Sequence, residues 1–127
     1  MGTIARFEEI EAWQSGRQLA NLIYTLSDEG RFARDFGLRD QMRRAAVSVM
    51  ANIAEGFDRK SHKEFANFLN VAYASATEVK SHLYVALDQE YITQQQFDKA
   101  YTQCVDTAKM ILGFMQYLRG NKVKANA

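Results

Sequence analysis

The residues able to do proton-transfer or metal chemistry are few, and their spacing suits neither. The chain has two histidines, His62 and His82, and one cysteine, Cys104. Di-iron helical bundles need inward glutamates and paired Glu-x-x-His motifs, and neither histidine completes one. Glu78 and His82 stand four residues apart, on one face of a helix, and could supply two ligands with Glu55 as a third. Two ligands at one helical step arise readily by chance, so a structural hydrogen bond or subunit contact is the expected role. No metal and no other cofactor is implied. Cys104 sits among Val105, Ala108 and Ile111, the surroundings of a buried apolar thiol rather than a nucleophile. A single cysteine forms no internal disulfide, as expected in a reducing compartment. No glycine-rich phosphate loop, nucleophile elbow or Cys-x-x-Cys occurs. Tyr73, Tyr84, Tyr91, Tyr101 and Tyr117 fall on or beside apolar stripes and read as packing residues. The expectation is a protein that is not an enzyme, with no evident small-molecule substrate.

The charges offer more. The net charge is only +1, so a nucleic-acid partner depends on where the cations sit. Between Arg39 and Lys63 there are six basic residues (Arg39, Arg43, Arg44, Arg59, Lys60, Lys63) against three acids (Asp40, Glu55, Asp58). Arg59-Lys60-Ser61-His62-Lys63 lies at a helix start, where backbone N–H groups favour phosphate. Arg119, Lys122 and Lys124 add a basic tail, expected at the opposite end of the molecule from this turn. Arg43, Arg44, Arg59, Lys60 and Lys63 are the candidate RNA-phosphate contacts. With no aromatic platform of the sequence-reading kind, binding would be driven by phosphate and shape.

Four helical segments must position these groups. Proline is absent and glycine occurs seven times, a scarcity that favours long uninterrupted helices over turn-rich β structure. The first segment, about Glu9 to Asp28, repeats apolar residues (Trp13, Leu19, Ala20, Ile23, Leu26) at three- and four-residue steps. Gly30 closes it, and Arg31 to Gly37 reads as a connection. The second runs from about Arg39 to Phe57 on Met42, Ala46, Val49 and Ile53, breaking at Gly56-Phe57-Asp58. Ser61 with Glu64 forms a capping box that launches the third, through about Asp88. Thr93 with Gln96 repeats that box for the fourth, whose inward set runs from Phe97 through Cys104 to Leu118. Gly120 is placed to cap its end. The fold class is all-α, an antiparallel up-down-up-down four-helix bundle of residues 1–120, with a frayed tail at 121–127. Apolar residues make up 47% of the chain, enough for one core without metal or disulfide staples. Neither a signal-peptide pattern nor a stretch of about 20 apolar residues is seen, so the expectation is a soluble, cytoplasmic protein with no membrane contact.

The second and third helices carry polar residues beside their core stripes: Gln41, Ser48, Asn52 and Glu55 on one, Ser75, Glu78 and His82 on the other. Their far sides hold Val47, Ala51, Ala54, Val71, Ala74 and Val85. Helices apolar or small around most of their circumference are buried on more than one side. The expectation is a homo-oligomer in which Gln41, Ser48, Asn52, Glu55, Ser75 and Glu78 form a hydrogen-bonded seam between subunits.

The stretches FEEIEAWQ and FGLRDQMRRAAVSVMANIAEGFDRKSHKEFANFLNVAYASATEV resemble the four-helix-bundle proteins encoded in intervening sequences of bacterial 23S rRNA genes. The resemblance covers nearly the whole chain. Its most specific parts are Gln41, Arg43, Arg44, Ala45, Ser48 and Asn52 to Gly56, then Ser61, Lys63, Glu64 and Phe65, then Ser75 and Glu78. Relatives typically carry a proline where this chain has Met50, a departure that removes a kink-forming residue from the second helix. The resemblance implies a cytoplasmic bundle assembling as homopentameric rings, with a link to ribosomal RNA. Related bundles are accessory factors of diversity-generating retroelements and associate with RNA and reverse transcriptase. Two readings follow: a non-catalytic oligomer that associates with RNA or a ribonucleoprotein, or a protein-interaction scaffold without nucleic acid.

Overall fold

The computed structural model describes residues 3–126, with side chains for residues 3–120. A single turn of 3₁₀ helix (Phe7–Glu9) precedes α1 (Glu11–Leu26), α2 (Gly30–Arg34), α3 (Phe36–Phe57), α4 (His62–Asp88) and α5 (Gln94–Asn126). The four long helices pack as a closed ring, α1 on α3, α3 on α4, α4 on α5 and α5 back on α1. Among the described residues there is no strand, and no helix is long and apolar enough to cross a membrane.

Side-chain caps start α3, α4 and α5. Asp35 accepts a hydrogen bond from the Leu38 N–H at 3.2 Å and caps α3. Ser61 Oγ accepts from the Glu64 N–H at 3.1 Å, one half of the expected box. Thr93 and Gln96 form the complete reciprocal pair, at 3.1 and 2.8 Å, ahead of α5. Such caps satisfy N–H groups that have no partner within the helix.

Two expectations about punctuation are corrected. The stretch read as a connection contains α2, started by Gly30 at φ +56°, a left-handed conformation that glycine adopts without a Cβ clash. This short helix drives Phe32 into the core, where it stacks on Tyr91 with centroids 5.5 Å apart. The second long helix ends at Phe57, within the expected Gly56-Phe57-Asp58 break. The missing side chain of Gly56 also permits a close approach: a Cβ there would lie 2.8 Å from both Phe65 Cδ1 and Phe68 Cβ on α4. Gly120 is no left-handed cap, because α5 continues beyond it. The expected fraying of 121–127 concerns residues outside those whose side chains are described.

Contacts along each helix pair run in opposite senses. Phe57 meets Phe65 beside the α3–α4 turn, with centroids 6.2 Å apart, and Ser48 meets Ser75 farther along at 2.9 Å. Phe65 lies against Phe114 and Tyr84 against Phe97 (5.3 and 4.9 Å). Gly16 lies against Val49 and Met50, while Ser27 is reached by Arg43. Neighbouring helices are therefore antiparallel. The core they enclose is continuous, from Ile10 and Leu19 through Met42, Ile53, Leu69 and Leu83 to Ile111 and Leu118.

This arrangement overturns one expectation that bears on function. Three reversals of direction bring the end of α5 to the α3–α4 turn rather than away from it. Thr3, Ile4, Phe57, Lys60, His62, Phe114, Tyr117 and Leu118 line one depression. The other end of the bundle joins α2 to the α4–α5 turn, where Tyr91 donates to Asp35 at 2.9 Å and Arg31 to the Gln89 carbonyl at 2.8 Å.

Candidate nucleic-acid interface

The five candidate phosphate contacts divide into two groups. Arg43 and Arg44 lie on α3 some fourteen positions before its end, about 20 Å from the turn at 1.5 Å per residue. Arg59, Lys60 and Lys63 stand at the turn itself.

Arg43 is spent on the fold. Its Nε donates to Ser27 Oγ at 2.8 Å, its guanidinium lies 4.5 Å from the Tyr24 ring centroid, and Nη2 is 3.8 Å from Asp28. Ser27, fully buried, in turn donates to the Ile23 carbonyl at 2.7 Å. The arginine thus tethers α3 to the C-terminal end of α1, where a cation complements the free carbonyls. These contacts engage the guanidinium on two sides. Arg44 is exposed and has no ion-pair partner among the described residues. At the turn, Arg59 donates to Glu55 at 3.0 Å and lies over the Phe68 ring at 4.6 Å.

Lys60, His62, Lys63 and Arg119 differ from these. All four are exposed, and none makes a side-chain hydrogen bond or ion pair with another described residue. They come from two separate stretches of sequence. Lys60 and His62 line the end depression of about 360 Å³. His62, Lys63 and Arg119 line a second, of about 270 Å³, between α4 and α5 with Asn67 and Asn70. Arg119 belongs by sequence with the basic tail, of which Lys122 and Lys124 lie outside the described side chains. Two exposed acids, Asp58 and Glu64, share the turn, so the corner is basic without being purely so.

The polar row lies mainly between two helices of one chain. Ser48 and Ser75 share a hydrogen bond at 2.9 Å, and Asn52 Nδ2 donates to both Ser48 O (2.8 Å) and Ser48 Oγ (2.9 Å). Buried hydroxyls left unpaired would cost about 1–3 kcal/mol each, and this network removes that penalty without a second subunit. Ser48, Asn52 and Ser75 therefore bond to one another within the chain. Gln41, Glu55 and Glu78 are exposed, with Glu78 3.3 Å from His82 Nε2. Among the described residues no three metal-binding side chains come together. Burial raises the Cys104 thiol to about 12, with Lys80 pulling weakly the other way, which makes it a poor nucleophile.

The model of the 23S rRNA-intervening sequence protein family matches residues 8–113. The chain belongs to that family. The matched range takes in α1 to α4, most of α5, and the whole basic turn. A protein of unknown function from the S23 ribosomal protein family of Bacteroides thetaiotaomicron, solved by crystallography, superposes with a TM-score of 0.76. It is 23% identical, and the match covers 83% of this chain and 95% of that one. At that identity the likeness carries the fold and nothing finer. Among proteins with curated functions, none matches this chain.

Proposed function

We propose that this family member is a non-catalytic, self-associating bundle that binds RNA, ribosomal RNA foremost, through the corner formed by the α3–α4 turn and α5. The observation that carries the reading is the gathering of Lys60, His62, Lys63 and Arg119, four cationic or titratable groups that the fold itself does not use. Exposed cations near a long helix's N-terminus suit a phosphate backbone. The family description, which names an intervening sequence of 23S rRNA, supplies the direction.

Self-association is supported by the outward faces of α3 and α4. Val47 and Val71 are 40% and 49% exposed, and Ala51 and Ala74 are exposed beside them. The Ser48–Ser75 pairing brings these four residues to one surface. Adjoining exposed apolar residues mark interaction sites in soluble proteins. A ring of copies, a pentamer by the family resemblance, would repeat the basic corner and raise affinity through avidity. The same apolar surface is what favours the second reading, a protein scaffold without nucleic acid.

Fluorescence anisotropy with structured 23S rRNA fragments tests the first reading. It expects binding at low salt that weakens steeply as salt rises, and absence of binding at low salt contradicts it. Light scattering tests the assembly, with a multiple of the 14.5 kDa chain mass expected and a monomer contradicting it. Capture of a partner protein that survives nuclease treatment, together with no RNA affinity, supports the scaffold.

A further inference from the structure

The end depression has an aromatic wall that the sequence did not display as one. Tyr117 is 41% exposed and packs against Phe114 with centroids 5.9 Å apart. Both rings, with Thr3 and Ile4, belong to two adjoining depressions. One is the basic depression of about 360 Å³ carrying Arg59, Lys60, Ser61 and His62. The other, of about 570 Å³, is apolar over most of its surface, walled by Ile10, Ala12, Met110 and Gly113, with Glu9 and Glu11 at its edge. Tyr117 stands between them, a half-exposed ring with cations on one side and greasy space on the other.

We infer that Tyr117 is a stacking surface for one unpaired RNA nucleotide, whose phosphate is met by Lys60 and His62. The inference rests on the RNA reading above and sharpens it from backbone contact to recognition of an unpaired site. The chemistry of each depression fits its half of a nucleotide. An aromatic face attracts any base by stacking, without regard to sequence. The adjoining cations complement the phosphate, and the combined space is of the size that holds a small ligand. A regular duplex keeps its bases inside and cannot present one to Tyr117, so bulges, loops and single strands are the expected targets. Glu9 and Glu11 reinforce this selection, because they repel a second phosphate entering the apolar side and leave room there for a base alone.

The test compares a short unstructured RNA with a duplex of the same sequence, using the full chain with wild-type, Tyr117→Ala, Tyr117→Phe and Lys60→Ala proteins. One stacked base is worth roughly 5- to 150-fold in affinity, so Tyr117→Ala should weaken single-strand binding by about fivefold or more. Duplex binding should change by less than about twofold. Tyr117→Phe keeps the ring and should restore single-strand binding, while Lys60→Ala should weaken both. Equal losses for strand and duplex, no loss for either, or a phenylalanine variant as weak as the alanine one each overturn the stacking role and leave the RNA reading standing. Wild-type protein that binds neither RNA at low salt overturns the RNA reading, and this inference with it.

Discussion

The two ends of the bundle carry similar charged residues and use them in opposite ways. At the end built from α2 and the α4–α5 turn, the arginines are structural ties. Arg31 crosses to the Gln89 carbonyl and lies over Tyr91; Arg39 holds the Ala33 carbonyl at 3.0 Å and Asp40 at 3.0 Å; nearby, Arg43 joins α1 to α3. Arg34 and, beside Arg43, Arg44 have no hydrogen-bond or ion-pair partner within the described residues. At the other end Arg59 is tied to Glu55, but Lys60, His62, Lys63 and Arg119 face solvent. The difference is instructive because planar guanidinium groups suit several fixed acceptors at once, whereas an ammonium is a mobile point charge. A cation already committed to two partners has little left for a ligand. Position alone therefore says less about binding than whether the fold has a prior use for the side chain.

Substitutions can break this contrast, and the largest effect is expected at the open end. Reversing Lys60, Lys63 and Arg119 to glutamate removes the three proposed phosphate contacts and adds repulsion, so RNA affinity should fall by about a hundredfold or more at low salt. The melting temperature should move little, since solvated surface charges contribute under about 1 kcal/mol. Anisotropy and thermal melting read the two quantities separately. Gly56→Ala comes next. It forces a methyl group against Phe65 and Phe68 and should cost about 1–3 kcal/mol in denaturant unfolding. RNA affinity should fall as well, because the overpacked contact adjoins the turn carrying Lys60 and Lys63.

Arg43→Ala should do the reverse of the charge reversal. Losing a charged hydrogen bond to buried Ser27 should lower stability by about 1–2 kcal/mol, while RNA affinity of the folded protein stays within about twofold. A large affinity loss in that variant would erase the distinction between the ends. The smallest effect belongs to Glu90, which holds φ +60° just after α4. Glu90→Gly relieves that strain and should raise stability by about 0.5–1 kcal/mol with no change in RNA binding.

Cys104 supplies a control on the core between the ends. Burial raises its pKa to about 12 from 9.0. The folded thiol stays protonated where an unfolded one ionises, so its stabilising contribution is full below pH 9 and is lost as pH rises toward 12. Thiol reagents at pH 8 should leave it unmodified in the native protein and label it fully in denaturant.

The fold was legible because local signals agreed. Apolar residues at helical spacing placed the long helices, and Thr93 with Gln96 marked the start of α5 to the residue. What escaped depended on contacts between distant parts of the chain. Gly30 could be read as a stop or a start, and only the burial of Phe32 against Tyr91 decides. Arg43 looks like any surface arginine until the α1–α3 register brings Ser27 beneath it. The polar row was visible, but its partner was not: Ser48 and Ser75 lie twenty-seven positions apart and meet because α3 and α4 are antiparallel. The joining of Arg119 to the turn needed only a count of chain reversals. Tyr117 kept its periodic place on α5 and so resembled a packing residue.

The salt dependence of binding tests the open end most directly. Each phosphate contact contributes roughly 0.7 to 0.9 to the slope of log affinity against log salt. Replacing Lys60 and Lys63 together by alanine should make that slope shallower by about 1.5, and Arg31→Ala should leave it unchanged. Equal slopes for the wild type and the double variant would contradict the assignment of this corner to RNA.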